Sequence, residues 1–562
     1  MSDLVYVCKY TPVELLAAYG AEPRILNEMR AGFDAAEQVA GPNICGFGKT
    51  VLESVLDGDV RELALVNCCD TLRSVHDVLE ASGELDFCSC MDLPRCGGTC
   101  SVDWLVREMR TLGLAYGNAH GTAFDEDAFR AAFDDSGAAG SRPTHGEPYV
   151  AIMGARLGDE LYERIAGLMP IAVRNVTCVN NRSVAGEEPP TELHGEELLR
   201  WYAERLIAQE PCMRMVDGTG RLAILEDPDL RGIIYHGVKF CDFYSLEYRQ
   251  IMEQTTLPTV KIESDYTTGS AGQLATRIES FAEMLMQQMA PEEGVSMNKG
   301  SKGEGRLFAG IDSGSTSTEA VIVTAEGEVV ATAMVPTGAG STTSAERALA
   351  QALDSAGLAA DELDGVVSTG YGRAAITRED GSSVTEITCH ARGAHHLNPA
   401  IRTIIDIGGQ DSKVIRIDDE GHVIDFAMND KCAAGTGRFL EMMAHTLQLD
   451  IDEMARRGIS YGKDIVISST CSVFAESEVI SLIAQNVAVD DIVHGLNKSV
   501  AARAGALAKR VRGQAPYMMT GGVSRNRGLV LALEKQTGEP IEVPELAQYC
   551  GALGAALIAA GL

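Results

Sequence analysis

The first half of the chain alternates short apolar runs with segments of helical periodicity. Each apolar run ends in polar or turn-forming residues, as buried parallel strands do. Such alternation predicts open parallel α/β sheets, in which ligands gather at the carboxyl ends of the strands. The predicted strands lie at 63–67, 146–154, 232–241 and 259–266, and the long helices lie at 197–209 and 271–290.

From residue 307 the pattern changes to strand pairs around small-residue turns. Residues 307–323 and 403–418 are each predicted to form a β-hairpin. Both turns carry Ile-Asp, then one variable residue, then Gly. This internal sequence repeat predicts two duplicated lobes that face each other across a cleft. A third apolar segment, 518–528, ends in a Gly–Gly turn at a helix start, which suits a nucleotide phosphate.

Breaker-rich segments indicate where the chain divides. One of them predicts a junction between two N-terminal lobes, and a second, with few large apolar side chains, predicts a flexible linker. The predicted boundaries are lobes at about 1–140 and 146–290 within a region 1–290, a linker at 291–305 and a C-terminal domain at 306–562.

Composition narrows the possible partners. With 47 basic and 80 acidic residues the net charge is −33, which argues against nucleic acid and anionic membranes as partners. No secretory signal or membrane-spanning run is recognised, so a cytoplasmic location is expected. Because disulfides are rare in that reducing compartment, fifteen cysteines favour thiolate ligation of metal, with some buried as small hydrophobes.

The hairpin turns are candidate phosphate and metal sites. Asp312 and Asp406, at equivalent places, are predicted to hold Mg²⁺, while Gln410 and Asp411 either position water or metal or serve as turn residues. Small turn residues let a phosphate approach backbone N–H groups. The candidate nucleotide-binding residues are Gly314, Ser315, Thr316, Ser317, Thr318, Gly408, Gly409, Gly521 and Gly522.

The C-terminal domain resembles a known family. Residues 307–562 are similar to the ATPase activators of 2-hydroxyacyl-CoA dehydratases and benzoyl-CoA reductases, within the superfamily of actin, Hsp70 and sugar kinases. The matching segments are IDSGSTST (311–318), STGYGR (368–373), EITCHARGA (386–394), IDIGGQDSK (405–413), NDKCAAGTGRFLE (429–441), CSVFAESEV (471–479) and TGGVSRN (520–526).

This resemblance implies a homodimer with one [4Fe–4S] cluster at its interface, held by Cys432 and Cys471 of each subunit. It implies that ATP drives a low-potential electron, supplied by a ferredoxin or flavodoxin, into a dehydratase or reductase component. The residues agree, since the two cysteines are too few and too far apart in sequence to enclose a cluster alone. Burial as structural cysteines is the alternative, and is what we expect for Cys389 and Cys550.

The N-terminal region resembles the catalytic-subunit fold of the same dehydratases, through segments such as NICGFG (43–48) and VNCCDTLRSVHDVL (66–79). That family binds a [4Fe–4S] cluster through three cysteines, which by motif are Cys45, Cys69 and Cys241 here. Cys68 competes with Cys69 for one of these positions. The region is short for the family. It also has an additional group of cysteines, which either ligate a metal or only pack: Cys88, Cys90, Cys96 and Cys100.

The sequence therefore predicts a fused protein. A dehydratase-like, cluster-binding α/β region precedes an actin-like ATPase that donates electrons, to its own N-terminal region or to a separate component. A plain kinase of the same superfamily is an alternative, but it requires no cysteines at positions 432 and 471. An ATP-dependent scaffold that inserts clusters into a partner is the second alternative.

Overall fold

A computed structural model of the chain divides into two compact units, Met1–Glu279 and Ser280–Leu562. The predicted lobe junction and the predicted linker fall almost wholly outside the residues that the structure describes. The described residues are 2–41, 43–133, 146–180, 182–184, 188–217, 219–289, 305–338, 340–373, 382–430, 432–467 and 471–562.

Two four-stranded sheets form the first unit, with strand orders β2-β1-β3-β4 and β6-β5-β7-β8. All neighbouring strands run parallel, which confirms the predicted class of sheet. The strands are β1 Ser2–Tyr6, β2 Ala21–Ile25, β3 Glu62–Val66, β4 Phe87–Met91, β5 Tyr149–Gly154, β6 Ala172–Asn175, β7 Leu230–Val238 and β8 Thr259–Ser264.

Helices of this unit connect the parallel strands, as crossovers between parallel neighbours require. Every residue of β3 and of β5 is buried, which explains their continuous apolar sequences. The helices predicted at 197–209 and 271–290 are confirmed. The helices are Val13–Ala17, Ala36–Val39, Gly46–Leu56, Asp70–Ser82, Thr99–His120, Glu126–Ala131, Asp159–Leu168, Gly195–Ala208, Thr219–Leu222, Asp242–Gln254 and Ala271–Met289, the last of which continues into the second unit.

The second unit contains two five-stranded sheets with the same topology, β11-β10-β9-β12-β13 and β16-β15-β14-β17-β18. In each, an antiparallel hairpin supplies the first strands and a parallel strand follows on the other side. This repetition confirms the predicted duplication and the actin-like fold. The strands are β9 Leu307–Ser313, β10 Ser317–Thr324, β11 Val329–Pro336, β12 Leu363–Gly370, β13 Ser382–Ser383, β14 Thr403–Ile407, β15 Ser412–Ile417, β16 Val423–Asn429, β17 Tyr517–Thr520 and β18 Ile541–Glu542.

Close helix packing holds the first of these sheets. A Cβ atom on Gly310 of β9 would lie 2.0 Å from the carbonyl oxygen of Ala552, so glycine is required where the helix crosses the strand. Cys389 and Cys550, expected to be structural, are fully buried in this region. The helices are Ser341–Ala356, Glu386–Leu397, Gly437–Thr446, Ile451–Arg456, Ser472–Ala484, Val489–Arg510, Arg527–Thr537 and Cys550–Ala560.

Among all described helices, none combines the length and the apolar character that crossing a membrane requires.

Candidate functional site

A cleft in the second unit brings the two predicted phosphate turns together. Its atom-free space is about 1300 Å³, part of which is open solvent. The β9–β10 turn, with Ser315 and Thr316, forms one wall, and the β14–β15 turn, with Gly408 and Gly409, forms the other. A Cβ atom on Gly409 would lie 2.1 Å from Thr316 Oγ1, so the close approach of the turns depends on glycine.

The two predicted aspartates occupy equivalent positions in the two lobes. Asp312 of β9 pairs with β12, and Asp406 of β14 pairs with β17. The glycine after each pairing has a positive φ, +86° at Gly370 and +82° at Gly521. A Cβ atom would lie 2.6 Å from Asp312 Oδ1 at the first and 2.7 Å from Asp406 Oδ1 at the second. The internal repeat thus extends to the surroundings of each carboxylate.

A buried lysine joins the carboxylates of the second turn. Lys413 Nζ lies 2.8 Å from Asp411 Oδ2, 3.2 Å from Glu386 Oε2 and 3.4 Å from Asp406 Oδ2. Burial opposes the charge of Lys413, but these carboxylates raise its pKa well above the ordinary value. Sequence reasoning did not single out Lys413 or Glu386, although both lie in segments that carry the family resemblance.

Burial also favours the protonated form of three acids of the cleft, one of which, Glu386, is a partner of Lys413. Burial raises the pKa of Asp312 and of Glu386 to about 8 and that of Glu319 to about 7. All three line the cleft, together with Asp406 and Asp411. Five carboxyl groups beside a single buried lysine form a set of hard oxygen donors that suits Mg²⁺, which would displace the protons.

His390 lies between the two aspartates and was not predicted. Its Nε2 atom is 3.9 Å from Asp312 Oδ2, and its Nδ1 atom is 3.2 Å from Thr520 Oγ1. Because Thr520 Oγ1 donates to Asp406 Oδ1 at 3.0 Å, this hydroxyl accepts from His390 Nδ1. Burial lowers the pKa of His390, so the ring is held neutral. The neutral histidine therefore lies between the two carboxylates without adding charge.

Two predicted residues lie outside the lining of this cleft. Thr318 is fully buried, with Oγ1 2.9 Å from Thr337 Oγ1 and 3.0 Å from Ser344 Oγ. Gln410 is exposed on the second turn. The remaining predicted residues line the cleft: Asp312, Gly314, Ser315, Thr316, Ser317, Asp406, Gly408, Gly409, Asp411, Gly521 and Gly522.

Cys432 and Cys471 each precede a helical segment in the second unit. Cys432 is the N-cap of a short 3-10 helix, Ala433–Gly435, and Cys471 is the N-cap of the helix Ser472–Ala484. Cys432 is half-buried and Cys471 is exposed. Within the described ranges, no compact group of three metal-ligating side chains includes either cysteine. Each chain thus presents thiols without completing a site.

The helix that follows Cys471 exposes an apolar surface. Val473 and Phe474 are 64% and 69% exposed, and Ile480 and Ile483 also face solvent. Large aromatic and aliphatic side chains exposed together on one helix are typical of a protein interface. We call these four residues the apolar face of the helix Ser472–Ala484.

A cavity in the first unit gathers the cysteines predicted there. Its atom-free space is about 730 Å³, including its open mouth. It brings together Cys45, Cys69 and Cys241, from three distant parts of the sequence. Four further cysteines also line it: Cys8, Cys68, Cys178 and Cys212. The sequence did not assign these four as ligands, although Cys68 was considered as an alternative to Cys69.

The three predicted cysteines share one local geometry. Cys45, Cys69 and Cys241 are the N-caps of the helices Gly46–Leu56, Asp70–Ser82 and Asp242–Gln254. Burial raises the pKa of Cys45 and raises that of Cys241 to about 12, whereas the partial positive charge of a helix N-terminus acts in the opposite direction and favours ligation. All three therefore fit an iron–sulfur cluster both by chemistry and by convergence on one cavity.

Cys68 and Cys69 differ in their protonation. The Cys69 thiol accepts a hydrogen bond from the backbone N–H of Leu72, at 3.5 Å. Hydrogen bonding with Cys68 lowers the pKa of Cys69, whereas the same bond, with one to Cys8, raises the pKa of Cys68 well above its ordinary value. Cys69 is therefore the more readily ionised of the pair, as its motif position suggests.

The cysteines at 88–100 do not line this cavity. Cys88 and Cys90 lie on β4, and burial raises the pKa of their thiols to about 11 and about 12. Cys96 and Cys100 are exposed. In the part of the chain that the structure describes, these four do not supply a compact three-ligand group, so metal ligation here stays a prediction.

Two family models match the chain, one for each half. Residues 309–559 match a model described as the BadF/BadG/BcrA/BcrD ATPase family. Residues 8–142 and 137–285 match a model described as 2-hydroxyglutaryl-CoA dehydratase, D-component. The first match lies in the unit that contains the cleft between the two turns. The second lies almost wholly in the unit that contains the cysteine-lined cavity.

Individual relatives match about half of this chain and nearly their own full length. Identity is 45% over 250 residues with the 2-hydroxyisocaproyl-CoA dehydratase activator of Clostridioides difficile, 44% of this chain and 93% of that protein. It is 47% over 250 residues with the activator of lactoyl-CoA dehydratase of Anaerotignum propionicum, 44% and 96%. A crystal structure of Acidaminococcus fermentans (R)-2-hydroxyglutaryl-CoA dehydratase component A has 43% identity and a TM-score of 0.44, covering 46% and 98%.

Proposed function

The chain belongs to the BadF/BadG/BcrA/BcrD ATPase family, and we propose that it uses ATP hydrolysis to drive single electrons into a dehydratase-type iron–sulfur centre. In this proposal residues 306–562 are the electron-donating ATPase. The acceptor is the chain's own N-terminal region or a separate 2-hydroxyacyl-CoA dehydratase or reductase component. The observation that carries the proposal is one chain with a cleft between two phosphate-type turns, a half-buried and an exposed cysteine at the starts of helical segments, and a separate cysteine-lined cavity.

The cleft would hold the nucleotide between the two turns. The backbone and hydroxyl groups of Thr316 and Gly409 would donate to phosphate oxygens, and Asp312 and Asp406 would hold Mg²⁺. Mg²⁺, when bound, neutralises phosphate charge and the surplus of carboxyl groups. The Lys413 ammonium pairs with Asp411 at the cleft, where this carboxylate would orient the attacking water.

Backbone hydrogen bonds connect the nucleotide turn to Cys432. The N–H of Gly437 donates to the carbonyl of Gly408 at 2.9 Å, and that of Arg438 to Gly409 at 2.8 Å. Cys432 caps the 3-10 helix that leads directly into this contact. A shift of the turn on hydrolysis would therefore move Cys432, which supports a conformational role for ATP.

Two thiols per chain leave the cluster site half-formed. A second copy of the chain, related by a two-fold axis, would supply the other two, and the apolar face of the helix Ser472–Ala484 would be covered in that dimer. The [4Fe–4S] cluster supplies a carrier for one electron at low potential. A ferredoxin or flavodoxin would deliver that electron, and hydrolysis of ATP to ADP and phosphate would drive its transfer.

The test is Cys471→Ser in the full chain, purified without oxygen. We expect ATP hydrolysis to stay within about twofold, because the cleft is intact, and ATP-dependent electron transfer to fall at least about a hundredfold. Stopped-flow absorbance with a chemical reductant and added dehydratase component measures the transfer, and iron analysis measures the cluster.

Cys389→Ala is the matched control, since Cys389 is fully buried whereas Cys471 is exposed. It should keep both activities. Undiminished electron transfer by Cys471→Ser would contradict the proposal. Iron delivery to an apo-component without electron transfer would favour the scaffold alternative, and phosphoryl transfer to a small molecule would favour a kinase.

A further inference from the structure

We propose that Glu283 is a positioning residue of the nucleotide cleft, and that it acts by holding the N-terminus of the helix Glu386–Leu397. Glu283 lies on the helix Ala271–Met289, in the part that belongs to the second unit. This inference rests on the proposed function, because it requires the cleft to bind and hydrolyse ATP. Glu283 is not among the described residues that line the cleft, so its effect on the reaction would be indirect.

The carboxylate of Glu283 accepts three hydrogen bonds from one helical turn. The backbone N–H of Thr385 donates to Oε1 at 3.0 Å, and the hydroxyl of Thr385 donates to Oε2 at 2.5 Å. The hydroxyl of Thr388 also donates to Oε2, at 2.5 Å. Both carboxylate oxygens therefore hold the first turn of the helix, at the end whose partial positive charge favours an acid.

The cap of this helix comes from another element of the fold. Thr385 is the N-cap residue, and a threonine there ordinarily accepts from a backbone N–H of its own first turn. Its side chain makes no such hydrogen bond and donates to Glu283 instead. The start of the helix is thus held by a residue 102 positions earlier in the chain.

The turn that Glu283 holds carries a residue of the cleft. Glu386 directly follows Thr385, and its Oε2 lies 3.2 Å from Lys413 Nζ. Lys413 in turn lies 2.8 Å from Asp411 Oδ2, at the carboxylate that would orient the attacking water. A displaced first turn would therefore disturb the charge network of the cleft, although Glu283 itself lies outside it.

Packing holds the middle of the same helix independently. A Cβ atom on Gly554 of the helix Cys550–Ala560 would lie 1.8 Å from the carbonyl oxygen of Cys389, so the two backbones are in close contact there. Glu386 lies three residues before this contact, at the end that Glu283 holds. Glu283 therefore affects the first turn more than the rest of the helix.

The sequence segment that contains Glu283 precedes the ATPase domain. Glu283 falls within residues 137–285, which match the dehydratase model, whereas the match to the ATPase model begins at residue 309. Its hydrogen bonds nevertheless lie within the second unit. In this chain the end of the N-terminal region is thus a structural part of the ATPase unit, and the proposal makes it a part that the reaction requires.

The simplest alternative is that Glu283 only docks its own helix, and Gln287 allows the two roles to be separated. Gln287 lies one turn after Glu283, and its Oε1 accepts from the backbone N–H of Val423 at 3.3 Å. Val423 begins β16 and is not among the described residues that line the cleft. Removing the Gln287 contact therefore weakens docking without releasing the start of the helix Glu386–Leu397.

The experiment compares ATP hydrolysis by the full chain with that of Glu283→Ala and Gln287→Ala. We expect Glu283→Ala to lower kcat about tenfold or more, because Glu386 and Lys413 lose their alignment. KM for ATP should stay within about twofold, because the turns that would contact the phosphates belong to the two hairpins. Gln287→Ala should leave both values within about twofold of the parent. Phosphate release at limiting and saturating ATP measures them, and circular dichroism confirms folding at the assay temperature.

Thr388→Val is a second variant, which removes one donor to the carboxylate and keeps the shape of the side chain. We expect kcat to fall about threefold, and the combination with Glu283→Ala to fall no further than Glu283→Ala alone. Unchanged kcat in folded Glu283→Ala or Thr388→Val, or an equal loss in Gln287→Ala, would overturn this inference and leave the proposed function standing. A parent chain that hydrolyses no ATP would overturn both.

Discussion

The two regions that present candidate cluster ligands place their cysteines in opposite ways. In the N-terminal unit, seven cysteines from six separate segments face one cavity. In the C-terminal unit, Cys432 and Cys471 begin helical segments, Cys432 half-buried and Cys471 exposed, and an apolar face follows Cys471. The N-terminal cavity gathers its cysteines within one chain. In the proposed function, the thiols of Cys432 and Cys471 require a second chain to complete a cluster.

Disrupting the apolar face of the helix Ser472–Ala484 should have the largest effect, and this effect should be confined to the C-terminal unit. We expect Phe474→Glu to convert the proposed dimer to a monomer and to remove the iron that we propose Cys432 and Cys471 bind, because a buried charge opposes association. The N-terminal iron should remain. Sedimentation and iron analysis measure both effects.

Leu114→Glu serves as the control, since Leu114 is an exposed apolar residue of the helix Thr99–His120 in the other unit. A dimer that survives Phe474→Glu with full iron would show that this helix is not the shared surface.

Removing Lys413 tests whether the nucleotide cleft is independent of both thiol regions. Lys413→Met leaves buried carboxylates without their cation, so we expect a loss of about 3–5 kcal/mol in the free energy of unfolding. ATP hydrolysis should fall by about a hundredfold or more. N-terminal iron should be unchanged, as denaturant titration and iron analysis can show.

Lys498→Met is the matched variant, because Lys498 pairs with the exposed Asp464. Its cost should be about 0–1 kcal/mol. Equal costs for the two lysines would contradict the assigned network around Lys413.

A smaller effect distinguishes neighbouring thiols of the enclosed site. In iron-free protein at pH 7.5, Cys69 should react with iodoacetamide about tenfold faster than Cys68, because the pKa of Cys69 is lowered and that of Cys68 is raised. Timed alkylation followed by mass spectrometry measures the ratio. Faster reaction at Cys68 would reverse the choice between them as ligand.

The last prediction concerns pH. Burial raises the pKa of Asp312 to about 8, while the unfolded chain loses this proton near pH 4. The native state therefore binds more protons across that interval, and the free energy of unfolding falls as pH rises through it. Asp312→Asn should make this slope shallower in nucleotide-free protein.

Thermal denaturation between pH 5 and pH 8 measures the slope, with Asp464→Asn as control. The pKa of Asp464 is lowered, chiefly by its hydrogen bond with Lys498, so that variant should not change the slope in this range. An identical slope in Asp312→Asn and the parent would show that Asp312 is ionised in the folded cleft.

Much of the fold follows from local patterns. The hairpins at 307–323 and 403–418 and the strand before Gly521 were predicted because apolar strands around glycine turns are local signals, and the repeated motif revealed the duplication. The predicted turn residues then meet in one cleft, since equivalent turns of duplicated lobes face each other.

Other residues of the cleft were not predictable in this way. Lys413, Glu386 and His390 lie on a strand and a helix, with no spacing that marks a charged or polar network. Their roles come from burial beside Asp406 and Asp312, which only packing determines. Thr318 is the opposite case: it lies in the motif predicted to bind nucleotide, but its hydroxyl is buried in the core.

The cysteines show the same division between sequence and tertiary structure. The positions of Cys45, Cys69 and Cys241 were predicted from motifs that resemble those of a known family, and such motifs can be read along the chain. Cys8, Cys178 and Cys212 carry no such signal, and their convergence depends on how two parallel sheets place their carboxyl ends around one space. Sequence determines which elements form and which residues end them; tertiary structure alone decides which ends meet, because that depends on long-range packing rather than on local order.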